Sequence, residues 1–321
     1  MIYGILGLGS IGSRHAANLK VLGKEVVAFD PSSERRQRAG DAGIAASASR
    51  DEVLNKSTAV IIASPNDCHL RDMRDALAAG HHCFVEKPLA HVADGVKELL
   101  DEAAAKGCRV FAGLNLRFHP AVTAAKSWLE EGALGRPLWA IFQSCHYLPD
   151  WRPAQDYRTG YAADPATGGV LFDIIHEFDL AHHLLGPAET VAAAARNTGT
   201  LDIPSEDCAD VILGHAAGVR SVLHLDYVTR PMRRVAEIGG ERGILRLDLV
   251  RRDVTLTDAD GFTSRHRVFA DTTPNDDYVT EMTAFIACVE QDALPACDGH
   301  EALAVLRQVI AARHQCGLPG S

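Results

Sequence analysis

Nothing in these 321 residues approaches the roughly 18 consecutive apolar residues that span a bilayer, so no membrane-embedded helix and no membrane partner are expected. The opening MIYGILGLGS lacks the basic and long apolar regions of a signal peptide, and export is not expected. The cysteines, Cys68, Cys83, Cys108, Cys145, Cys208, Cys288, Cys297 and Cys316, include no C-x-x-C pair and no zinc-finger spacing. They read as reduced, mostly buried thiols of a cytoplasmic protein. Positive charge is in deficit: 32 Lys and Arg stand against 42 Asp and Glu, a formal net charge of -10. That balance opposes attraction to phosphate backbones, and no nucleic acid partner is expected. There is also no internal repeat, low-complexity segment or long linker.

What remains is a globular composition, 47% apolar and 23% charged, in a chain longer than one average domain. From residue 1 to about 112, short β-branched runs (IYGIL, EVVAF, AVIIA, HCFV, CRVFA) alternate with helical patterns such as residues 92 to 106. This alternation predicts a parallel sheet covered on both faces. After GLNLRFHP the texture changes to a helix near 121–131, a strand near 137–147, a polar aromatic loop and another helix. From Glu189 onward the runs CADVILGH, GVRSVLHLDYV, RVAEIGG, GILRLDL and DVTLTD predict a mostly antiparallel sheet, closed by helices near 278–290 and 300–314.

YGILGLGSIGSRH is a strand running into Gly7-x-Gly9-x-x-Gly12 and then a helix. The first glycine permits the turn, the second lets the backbone approach a pyrophosphate, and the third allows close packing of helix on strand. Gly7, Gly9, Ser10, Ile11 and Gly12 are therefore candidate cofactor contacts. The second strand ends in Asp30, at the spacing of a ribose-binding acid, which favours NAD over NADP. Arg35, Arg36 and Arg38 would serve a 2′-phosphate only by folding back. The fold class that follows is an α/β Rossmann dinucleotide-binding domain, 1–118, plus an α+β domain with a large, mostly antiparallel open sheet, 119–321.

FVEKPLA places Glu86, Lys87 and Pro88 at a strand's carboxyl end, where ligands sit in open parallel sheets. In GGVLFDIIHEFDLAHHLLG, residues 168–186, Asp173 and His176 stand three apart, a spacing that puts both on one face of a helix. A carboxylate there orients the imidazole or raises its pKa, and oxidation of an alcohol needs a base for the hydroxyl proton. HEFDLAHH imitates the zinc motif H-E-x-x-H, but Leu180 occupies the second histidine's position. Asp179 and His183 lack a third ligand, so no metal site is expected.

In this order GxGxxG, ASPNDCH, EKP, NLRFHP and the 168–186 helix resemble the glucose-fructose oxidoreductase, inositol dehydrogenase and rhizopine catabolism family, Gfo/Idh/MocA. The strand-rich remainder resembles the family's second domain. The resemblance implies that Lys87 polarises the reacting oxygen, His176 acts as acid and base, and Asp173 contacts substrate. It implies cofactor-lining roles for Ser64, Pro65, Asn66, His69, Glu86, Lys87 and Asn115, places Arg117 at the entry to the substrate domain as a substrate contact, and implies a homodimer or homotetramer through the exposed face of the second sheet.

Between strand and helix, CHYLPDWRPAQDYRTGYAADPATGG carries Trp151, Arg152, Tyr157, Arg158 and Tyr161. Aromatic faces stack on sugar rings and guanidinium groups pair with acidic substituents, so this is a candidate substrate lid. The alternative is a surface loop whose arginines pair with Asp150 and Asp156. The reading that results is an NAD-dependent dehydrogenase or reductase acting on a secondary alcohol or ketone of a sugar, polyol or sugar acid. Two alternatives stand beside it: a redox-assisted NAD-dependent glycosidase and a non-catalytic dinucleotide sensor.

Overall fold

In a computed structural model, which describes residues 1–153 and 155–319, the first alternating runs become six parallel strands. They are β1 (Ile2–Leu6), β2 (Glu25–Phe29), β3 (Ala45–Ser47), β4 (Ala59–Ile62), β5 (His82–Glu86) and β6 (Val110–Gly113). Their order is β3-β2-β1-β4-β5-β6, the doubly wound order, with its switch point between β1 and β4. β4 is buried at every position, as a strand covered on both faces must be. Helix Ser10–Val21 follows β1, and helix Asn66–Ala78 follows β4.

This sheet belongs to a compact unit of Met1–Asn115 together with Tyr278–Leu303. The sequence reading placed 119–321 in a single second domain, whereas the chain returns to the first unit at Tyr278. The cause is visible in the core. Phe285, from helix Pro274–Glu290, packs edge-on against Phe84 at 5.5 Å, Phe111 at 5.9 Å and Tyr3 at 6.3 Å between ring centroids. Each such aromatic pair contributes about 0.5–1.5 kcal/mol beyond the area it buries.

The second unit comprises Leu116–Asp277 and Ala304–Ser321. Its eight strands are β7 (Pro137–Cys145), β8 (Ala188–Arg196), β9 (Cys208–His215), β10 (Arg220–Asp226), β11 (Arg233–Gly240), β12 (Gly243–Asp248), β13 (Asp253–Asp258) and β14 (Thr263–Val268). They run in the order β14-β13-β12-β11-β7-β10-β9-β8. Every neighbouring pair is antiparallel except β7 and β10. β8 is absent from the sequence reading because AETVAAAAR is alanine-rich, a composition that favours helix. Pairing along β9 overrides that preference. Among the described residues, no helix is long and apolar enough to cross a membrane.

Candidate cofactor and substrate sites

In the first unit the glycine loop is shaped by backbone contacts. Gly7 has φ of 98°, a left-handed conformation that a side chain would strain. A Cβ on Gly12 would stand 2.0 Å from the Gly7 carbonyl oxygen, so only glycine lets helix Ser10–Val21 lie this close to β1. Beside Gly9, by contrast, a Cβ would meet nothing within 4 Å. Gly9 is the helix N-cap, no side chain caps it, and the first turn carries no acidic residue. The exposed Ser10 and half-buried Ile11 thus open an electropositive helix end onto free space. These features fit a dinucleotide pyrophosphate.

Asp30 is buried at the end of the neighbouring strand. Its Oδ2 accepts the Leu8 amide at 2.7 Å, and its Oδ1 accepts the Ser32 amide at 2.9 Å. One carboxylate therefore fixes the glycine loop and the start of the next helix. Arg35 folds back to within 3.3 Å of Asp30 Oδ2, and Arg36 donates to the Asp30 carbonyl at 2.6 Å. Arg38 instead pairs with Glu34.

The loops after β4 and β5 are joined through His69. Expected to line the cofactor, it is fully buried, with Nδ1 2.8 Å from the Pro88 carbonyl and Nε2 2.8 Å from the Ser64 carbonyl. It acts as a strut between the two loops. Burial pushes its pKa down against the opposing pull of those carbonyls. Pro65 caps helix Asn66–Ala78, which makes Asn66 its first residue. Glu86 is also buried. It binds His15 Nε2 at 2.7 Å and accepts the Lys87 amide at 3.1 Å, so it shapes the backbone from which the half-buried Lys87 projects. The Lys87–Pro88 peptide is cis. Asn115 is buried at the end of this unit.

In the second unit the expected continuous helix is broken. One helix, Gly169–Asp173, ends at Asp173, and another, His176–Leu185, begins at His176. The two residues flank a turn rather than sharing one helical face, which corrects the spacing argument. Asp173 is buried and receives two phenolic hydroxyls, one from Tyr161 and one from Tyr227 at 3.1 Å. Burial and the nearby Asp173 carboxylate push the Tyr227 pKa well above its ordinary value, so Tyr227 remains a donor. Sequence reasoning missed Tyr227; the only signal is its place directly after β10. Trp151 stands edge-on to it at 5.5 Å and donates its indole N–H to the His146 carbonyl at 3.2 Å.

The other polar residues of this segment are structural. Glu177 takes a two-point ion pair from Arg234, at 2.7 and 3.0 Å. Asp179 accepts from Arg117 Nε at 3.0 and 3.1 Å and from its Nη2 at 2.6 Å, with both side chains buried. Arg117, expected to contact substrate, is held in a buried ion pair with Asp179. His182 faces Gln308 at 3.4 Å. Burial first, then Arg117, pushes the His183 pKa down to about 3.

The lid splits along similar lines. Tyr161 bonds Asp173 and Trp151 stands against Tyr227, whereas Arg158 pairs with Asp156 at 2.8 Å and lies 3.6 Å from Asp202. Tyr157 turns toward Asp202, whose amide is 3.4 Å from its hydroxyl. Arg152 is exposed. Asp150 lies 3.5 Å from Arg230, which stacks over Tyr147 at 3.3 Å.

Residues 1–114 match the family model described as "Oxidoreductase family, NAD-binding Rossmann fold", and residues 122–246 match "GFO/IDH/MocA C-terminal domain". The chain is 28% identical to a myo-inositol 2-dehydrogenase of Thermotoga maritima, covering 94% of this chain and 92% of that protein. It is 33% identical to an inositol 2-dehydrogenase of Cereibacter sphaeroides, over 76% and 72%. An Agrobacterium radiobacter oxidoreductase solved with NAD+, L-tartaric acid and magnesium superimposes with a TM-score of 0.86 at 20% identity, covering 99% of this chain and 96% of that one. At that identity the likeness shows the fold.

Proposed function

Because the chain belongs to the Gfo/Idh/MocA oxidoreductase family, with an NAD-binding Rossmann domain, we propose that it oxidises a secondary alcohol of a neutral sugar or polyol with NAD. The observation that carries the reading is Asp173, a buried carboxylate held by two tyrosine hydroxyls and followed, after one turn, by His176. Such a group is fixed in place to orient a hydroxylated ligand. Bound NAD supplies the hydride acceptor. Lys87 polarises the substrate oxygen, and His176 takes the hydroxyl proton. Of the two lid arginines that would pair with an acidic sugar, Arg158 is already held by Asp156 while Arg152 stands exposed, and the pairing of Arg158 supports a neutral substrate. The inositol dehydrogenases among the relatives point the same way.

The same reading includes a homo-oligomer in the cytoplasm. Trp139, Ile141, Ile212, Val222 and Ile244 stand exposed along one face of the eight-stranded sheet, an apolar patch suited to another copy of the chain. The described cysteines are all free thiols.

The direct test identifies the nucleotide released on denaturation, then follows NADH absorbance and product mass with NAD and a panel of neutral sugars, polyols, sugar acids and glycosides. NADH accumulating with a product two hydrogens lighter, from a neutral polyol or sugar, is the expected result. Glycoside cleavage without NADH would make it a redox-assisted hydrolase; nucleotide binding with no turnover of any compound would make it a sensor.

Asp30→Ala tests the cofactor assignment. Removing a charged hydrogen-bond acceptor worth about 1.5–3 kcal/mol beside Arg35 and Arg36 is expected to lower the NAD to NADP ratio of kcat/KM roughly ten- to hundredfold. An unchanged ratio would show that Asp30 serves the loop alone.

A further inference from the structure

Cys145 is the last residue of β7 and Asp226 the last of the adjacent parallel strand β10; they are register partners. His224, two residues before Asp226, shares its face of the sheet. The Cys145 sulfur, a His224 ring nitrogen and an Asp226 carboxylate oxygen all lie within 4.8 Å of one another. His224 Nε2 is 3.3 Å from Asp226 Oδ2. Ligands at ~2.0–2.3 Å around a tetrahedral zinc stand about 3.3–3.8 Å apart, so the three groups need to close by only about 1 Å.

The surroundings support the same chemistry. His224 Nδ1 lies 2.7 Å from an Asp210 carboxylate oxygen, the outer-shell contact that fixes the ring with Nε2 as the free ligand atom. Asp226 is itself held: Oδ2 accepts the Thr229 hydroxyl at 2.8 Å, while Oδ1 accepts the Val228 and Thr229 amides. Cys145 and Asp226 are buried, whereas the His224 side chain is 33% exposed, leaving a route for an ion. Thiol, imidazole and carboxylate together select a thiophilic cation over magnesium or calcium.

We propose that Cys145, His224 and Asp226 bind a divalent cation of the zinc class, with water in the fourth position and Asp210 orienting the histidine. The site is separate from the dehydrogenase residues. Its ion ties the end of β7 to the end of β10, and the residue that follows β10, Tyr227, bonds Asp173. Cation binding displaces the thiol's proton.

Tag-free full-length protein, stripped with a chelator and titrated with Co²⁺ alone, should bind one equivalent with tetrahedral ligand-field bands and a thiolate-to-cobalt charge-transfer band. Zn²⁺ should then displace the cobalt. Cys145→Ser is expected to abolish the charge-transfer band, Cys208→Ser to retain it, and Asp210→Asn to weaken cobalt binding roughly 10–100-fold. Circular dichroism and NAD binding report whether each variant is folded. His224→Gln, altered at a half-exposed position, provides a second test should Cys145→Ser fail to fold. A folded wild type with no charge-transfer band, a band that survives Cys145→Ser, or undiminished cobalt binding by His224→Gln would each overturn the proposal.

Discussion

Replacing His176 by alanine is expected to lower turnover by roughly 10²-fold or more while NAD affinity stays close to that of the parent, as befits loss of a positioned acid and base. The argument rests on where the residue sits. His176 opens helix His176–Leu185, one turn past an aspartate whose two oxygens are held by Tyr161 and Tyr227. The dinucleotide loop, in contrast, is built within the first unit from Gly7, Gly12 and Asp30 and uses none of these residues. Steady-state kinetics paired with a fluorescence titration of NAD distinguishes the two effects. Turnover at the parent level would remove His176 from the mechanism. Loss of NAD binding in step with turnover would mean the substitution acts through the fold.

Arg117→Ala should instead unfold the protein early. Its guanidinium makes three hydrogen bonds to Asp179, with side-chain exposures of 3% and 0%. Removing one partner of a buried ion pair costs about 3–5 kcal/mol. At roughly 2–4 °C per kcal/mol for a domain of this size, thermal unfolding of the second unit shifts down by on the order of 10 °C. The pair contributes less than its loss costs, because both charges were taken out of water to form it. Accordingly, Arg117→Met with Asp179→Leu should recover much of the stability. An unchanged unfolding temperature with a raised substrate KM would return Arg117 to the substrate role that its position in NLRFHP implied.

The signals that read well from sequence are local. GxGxxG between a strand and a helix specifies its own geometry, since a Cβ at Gly12 would collide with the Gly7 carbonyl one turn away. Strand runs such as AVII, buried throughout, announce a two-sided sheet. The signals that misled were also local, but were settled by distant partners. Asp173 and His176 fit a helical spacing, yet the helix breaks between them. Arg117, read from NLRFHP, is paired with Asp179 far along the chain. His69, read as lining the cofactor, lies with its ring nitrogens 2.8 Å from the Ser64 and Pro88 carbonyls.

By itself the sequence determined the doubly wound nucleotide domain, the strand-rich second half and the family, because periodicity and glycine spacing encode backbone geometry over a few residues. Only the tertiary structure decided the partner of each polar side chain. It returned Phe285 to the first unit, where burying its ring among Phe84, Phe111 and Tyr3 outweighs chain continuity. It set Tyr227 beside Asp173 and brought Cys145 to His224 and Asp226 through the one parallel pairing in the second sheet. A buried charge or hydroxyl must find a partner wherever the fold supplies one, and that choice depends on contacts between residues far apart in the chain.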